Sequence, residues 1–141
     1  MATAELIYRD RFVQHVGIEL LDAGEGRARA RLQLAPHHLN GLGIVQGGAI
    51  FTLADYAFAA ASNSRDSLAV ALDTHMTFLK AARGGTLTAT CRETGLNRRT
   101  AFYAVDVTGD DGTLIATFQG TAYLKPAASA AEAGEGVGAK R

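Results

Sequence analysis

The chain has no tryptophan, two prolines and one cysteine in 141 residues, and no excess of either charge, with 14 basic and 14 acidic side chains. Each shortage excludes something. A nucleic-acid-binding protein normally carries a basic surplus, and none is present. Cys91 has no partner for an internal disulfide, and no CxxC or Cys/His cluster offers a zinc site, so a reducing compartment and no metal are expected. The first ten residues carry Glu5, Arg9 and Asp10 where a signal peptide needs an apolar core. The longest apolar run is Ala-rich, short and broken by Asp55, which argues against a membrane span. A cytoplasmic protein without nucleic-acid or membrane partners is the expectation.

What is present is ordinary for a globular protein: 48% hydrophobic and 20% charged residues. The length suits one domain and allows a sizeable core. We place that domain at residues 1–125. From Pro126 onward, in residues 126–141, the composition is Ala, Gly, Glu and Ser without large apolar side chains, and a disordered tail is expected.

Along the chain, Thr3 to about Val16 reads as a short helix and Gly17 to Ala23 as a strand, followed by a Gly24-Glu25-Gly26 turn. Arg27 to Leu34 alternates with period two, Ala28, Ala30, Leu32 and Leu34 on one face and Arg27, Arg29, Arg31 and Gln33 on the other, the mark of a half-buried strand. A turn-rich loop, Ala35 to Gln46, leads into a helix over Gly47 to Ser62. Its stripe of Ile50, Leu53, Ala54, Ala57, Phe58 and Ala61 is helical in period, and its other side is apolar too. That predicts a buried helix. Leu68–Leu79, Thr86–Thr94, Ala101–Thr108 and Thr113–Leu124 suit strands, with turn residues between them that predict an antiparallel meander. The fold class is α+β, one curved antiparallel sheet wrapped around a long central helix, with a second copy a natural cover for the rest of that helix.

Asp55 stands out in this pattern. A carboxylate inside an apolar helix needs a partner or a chemical task, because an unpaired buried charge is very costly. It is either a structural acceptor or a general base or nucleophile whose pKa burial raises. Gly47 and Gly48 lie where the helix begins, and its unpaired N–H groups are suited to a developing oxyanion. They equally permit close packing. Gln46 can donate to a carbonyl through its amide or cap the loop, and Asn40 alone reads as a turn residue. His37 and His38 lack a third ligand nearby. His75 reads as a strand-face or subunit-contact residue. Lys80, Arg83, Arg98, Arg99 and Lys125 sit at strand ends, either as plain surface charge or as a rim for a phosphate-bearing ligand.

The register Asn40, Gln46-Gly47-Gly48-Ala49, Leu53-Ala54-Asp55 resembles the hotdog-fold acyl-CoA thioesterases of the phenylacetate-degradation, PaaI-like type. The similarity continues through Ala69–Leu72, Thr77–Leu79, Gly85–Thr90, Arg99-Thr100 and Gly120–Ala122, and so spans roughly residues 17–125. The resemblance implies a hotdog fold, hydrolysis of an acyl-CoA thioester without a cofactor other than the CoA of the substrate, and dimers or dimers of dimers with sites at the subunit interface. It implies that Asp55 is the catalytic carboxylate, that Asn40 holds water or the thioester, and that the Gly47 N–H is the oxyanion donor. In such dimers Asp55 faces the Asn40 and Gly47 set of the other subunit. Gly48, Phe51 and Phe78, with Lys80, Arg83, Arg98, Arg99 and Thr100, are the expected substrate-binding residues. One departure matters: relatives usually have His where this chain has Gln46, whose amide donates hydrogen bonds but carries no proton.

Two rival readings use the same pocket. A hotdog enoyl-CoA hydratase or dehydratase needs a His paired with an acid, and none is visible around this helix. A non-catalytic acyl-CoA binding module fits if Gln46 disables turnover.

Overall fold

The computed structural model describes residues 2–126; the remainder of the expected tail lies outside the described residues. Two helices open the chain, α1 (Ala2–Tyr8) and α2 (Arg11–Val16), where the sequence predicts one. Asp10 divides them. Its backbone is extended and its carboxylate accepts the Val13 N–H at 3.0 Å, so it caps a new helix. Gly17, in the left-handed region at φ 96, closes α2.

Strands β1 (Ile18–Gly24) and β2 (Arg27–Gln33) form a hairpin. Glu25 (φ 52) and Gly26 (φ 79) make a two-residue turn with positive φ at both positions, which matches the twist of the strands. β2 keeps the alternation read from the sequence: Ala28, Ala30 and Leu32 are buried and the three arginines exposed. Arg29 and Arg31 pair with Asp22 and Glu19 of β1 on the outer face, as expected of a solvated sheet surface.

Helix α3 spans Gly47–Ser62 and is followed by β3 (Leu68–Phe78), β4 (Thr86–Leu96), β5 (Thr100–Thr108) and β6 (Leu114–Lys125). The six strands form one antiparallel sheet in the order β1-β2-β4-β5-β6-β3. The expected meander therefore holds only for β4 to β6. β3 crosses to the far edge and pairs with β6, because turn residues such as Gly84-Gly85 mark where the chain bends but not which strand it meets.

α3 packs on the inner face of this sheet, in the hotdog arrangement. Phe58 meets Tyr103 and Phe118 at ring separations of 5.5 and 5.6 Å. Gly120 makes room for it: a Cβ there would lie 2.8 Å from Phe58 Cζ. The composition predicts a helix buried on every side, but one side of α3 is not sealed. Gly48, Thr52, Asp55 and Ala59, spaced i, i+4, i+7 and i+11, form a partly exposed stripe. α1 covers only the neighbouring strip, where the buried Tyr56 donates from its hydroxyl to the Ile7 carbonyl at 3.1 Å. Asp55 is thus half-buried rather than enclosed in the core.

Candidate active site

The loop before α3 is built by local hydrogen bonds. Pro36–His38 form a 3-10 turn, and Leu39 bridges antiparallel to Val45. At its head, Asn40 Oδ1 accepts the N–H groups of Leu42 at 2.9 Å and Ile44 at 3.3 Å. The oxygen is committed to the turn, while the side-chain nitrogen remains available to donate.

Gln46 is the N-cap of α3, and its Oε1 accepts the Gly48 N–H. Because a backbone N–H can only donate, the amide must present its oxygen there, which frees Nε2 to donate elsewhere. The two roles open to Gln46 in the sequence are thus compatible. The Gly48 N–H is used by this cap. The Gly47 N–H, an orphan of the first helical turn, meets no acceptor among the described residues.

A pocket of about 290 Å3 opens at this helix start, and Asn40, Gly47, Ile50, Phe78 and Lys80 help to line it. A Cβ at position 47 would come within 3.2 Å of Phe78 Cζ, so glycine lets the ring close over the first amide. Four sequence-derived candidates, Asn40, Gly47, Phe78 and Lys80, therefore share one cavity.

Others do not join them in one chain. Phe51 packs edge-on against Phe118 at 5.6 Å and stays outside the pocket lining, because its position on α3 turns it toward the sheet. Arg83 is exposed in the β3–β4 loop, outside that lining. Arg98, Arg99 and Thr100 lie at the opposite end of the sheet: Thr100 pairs with Tyr123 of β6, whereas Phe78 pairs with Ala116 at the other end of that strand.

Asp55 is also separate. Eight residues of helix place it about 12 Å along the axis from Gly47. Its pKa is raised above the usual carboxylate value, first by burial and then by the negative charge of Asp10. The nearness of Asp10 to Asp55 is tertiary and has no local signal in the sequence. His38 is buried and hydrogen-bonds through both ring nitrogens, a structural role that its neighbours in sequence do not signal. Among the described residues no group of three His, Cys, Asp or Glu side chains could hold a metal ion.

The profile of the thioesterase superfamily matches residues 42–116, from the loop ahead of Gln46 into β6. The chain belongs to the thioesterase superfamily. This thioesterase is 32% identical over 115 residues to the acyl-coenzyme A thioesterase PaaI of Escherichia coli, covering 81% of this chain and 82% of that one. The solved E. coli PaaI structure superposes with a TM-score of 0.83 at 31% identity, covering 88% and 91% of the two chains. An asparagine-to-aspartate variant of the phenylacetic acid degradation protein PaaI of Thermus thermophilus gives a TM-score of 0.77 at 37% identity, over 81% and 98%. The protein is accordingly a PaaI-like hotdog thioesterase, a thioester hydrolase by family.

Proposed function

We propose that this thioesterase hydrolyses an acyl-CoA to a carboxylic acid and CoA in sites shared between two copies of the chain. The observation that carries the reading is the unaccepted Gly47 N–H at a pocket with Asn40, Phe78 and Lys80. The name of the E. coli relative supports the substrate class.

The thioester carbonyl oxygen takes the Gly47 N–H, where the helix dipole favours negative charge. Gln46 Nε2 adds a second donor, and Asn40 orients the water or the thioester. Asp55 removes a proton from that water as it attacks the carbonyl carbon; collapse of the tetrahedral intermediate breaks the C–S bond and releases CoA. The thiolate is a good leaving group, since a thiol ionises near pH 8.5. Direct attack by Asp55, through a mixed anhydride, is the alternative course for the same residue. No cofactor enters either course.

Gly47 and Asp55 of one chain are too far apart to act on one carbonyl, so each site takes Asp55 from one copy and the Asn40–Gly47 set from the other. β3 supports such an assembly. It is an edge strand of 11 residues that exposes Val70, Leu72 and Phe78, and an uncovered edge of this kind is a template for another strand. In the assembly, Arg98, Arg99 and Thr100 of one copy can approach the Lys80–Arg83 end of the other and hold the CoA phosphates. Dimers, or dimers of dimers, in the cytoplasm complete the reading.

The test is thiol release over a panel of acyl-CoA esters that includes aryl-acetyl groups. Turnover of at least one ester is expected; tight binding of CoA esters without hydrolysis of any would instead establish a binding module.

A further inference from the structure

His38 is buried, with 6% of its surface exposed, and the reaction as drawn does not use it. Both ring nitrogens are engaged. The Ala35 N–H donates to Nδ1 at 3.0 Å, and Nε2 lies 2.7 Å from the Val16 carbonyl oxygen. A backbone N–H only donates and a carbonyl only accepts, so the ring proton sits on Nε2. Val16 ends α2, and its carbonyl has no partner within that helix; the imidazole supplies one.

The same residue acts on the catalytic loop through its backbone. The His38 carbonyl accepts the Gln46 N–H at 2.9 Å, and Gln46 in turn caps Gly48. A line of bonds thus runs from the end of α2, through His38 and Gln46, to the first turn of α3. The loop's second tie is the Val45 N–H, which donates to the Ala82 carbonyl at 2.8 Å. His38 is the one that ends at the proposed oxyanion donors.

We infer that His38 is a positioning residue: it sets the placement of Gln46 and the Gly47 amide through this line of bonds, without touching substrate. The inference rests on the roles proposed for Gln46 and Gly47. Geometry at an oxyanion site is demanding, and a displacement of about 1 Å from a change outside the chemistry can lower a rate about 10²-fold.

The experiment compares His38→Ala and His38→Gln in the full chain, by acyl-CoA thiol release and by hydrogen exchange at the Gln46 and Gly48 amides. His38→Ala is expected to lower kcat by about 10²-fold while KM stays within about threefold, the pattern of a lost transition-state alignment. His38→Gln places an amide nitrogen where Nε2 reaches Val16 and is expected to recover kcat to within about tenfold of the parent, with slow exchange restored. His37→Ala, at the exposed ring 4.1 Å away, is the control and leaves both readouts unchanged. An unaltered kcat and unaltered exchange in His38→Ala overturn the inference. Should that variant not fold, His38→Gln is compared with His38→Asn, which reaches Ala35 but not Val16; equal kcat in the two overturns it. An Asp55→Asn enzyme of undiminished rate would remove the thioesterase mechanism but leave the exchange result standing, so the two failures are distinguishable.

Discussion

Gln46 Oε1 accepts the Gly48 N–H, and that one contact turns the amide nitrogen of Gln46 away from Gly48 and out of the helix start. Gln46 is therefore oriented to donate, even though it cannot shuttle a proton.

Replacing Gln46 by glutamate separates its two roles. A carboxylate still accepts from Gly48 and suits a helix N-terminus, so Tm is expected to hold or rise. It offers no donor, so the rate is expected to fall by about 10²–10³. Gln46→Ala loses the cap as well and is expected to cost about 1 kcal/mol of stability. Thiol release and thermal melts check both; a full rate in Gln46→Glu would leave Gln46 with the cap alone.

Asp55→Asn is expected to lower turnover by about 10²–10⁴ if Asp55 is the base. Its unmet charge also has a thermodynamic sign. Because burial and Asp10 raise its pKa, the folded state favours the protonated form. The contribution of Asp55 to stability is then most favourable below the ordinary value of 3.8 and is lost as pH rises through the folded pKa. Asp55→Asn should raise Tm at neutral pH, with the gain closing in acid; a lower Tm at neutral pH would contradict this.

The rate should share that pKa. A base works when ionised, so activity rises with pH along a limb above the usual carboxylate range. Asp10→Asn keeps the acceptor for Val13 while removing the neighbouring charge, and should move the limb to lower pH. An unmoved limb in kcat/KM profiles would detach Asp10 from Asp55.

The close approach of α3 to the sheet has its own check. Gly120→Ala would drive a Cβ into the Phe58 ring, and overpacking of this kind costs about 1–3 kcal/mol. A lower denaturation midpoint with unchanged slope is expected.

Local features were legible in the sequence because they are set locally. The alternation of Arg27 to Gln33 and the run of α3 follow from side-chain periodicity, and Asp55 stands out against it, whereas Asn40 and Gly47 take their expected roles from the family resemblance. The crossing of β3 to β6 depends on which strand edge β4, β5 and β6 leave unpaired, and no turn residue encodes that. Nor does spacing show that Arg98 to Thr100 end far from Lys80 in one chain, or that Asp10 comes near Asp55. The stripe of α3 that holds Asp55 is exposed because the sheet and α1 leave it bare, a property of the whole fold.

The shared site is tested most directly by mixing two inactive variants. Asn40→Asp keeps the oxygen acceptors for Leu42 and Ile44 but removes the amide donors. Co-expressed with Asp55→Asn, it forms mixed dimers in which one of the two sites has every native group. Random pairing then predicts recovery of about a quarter of the parent activity, from two parents that are each nearly inactive. Activity no higher than that of the parents, in confirmed mixed dimers, would contradict a site built from two copies.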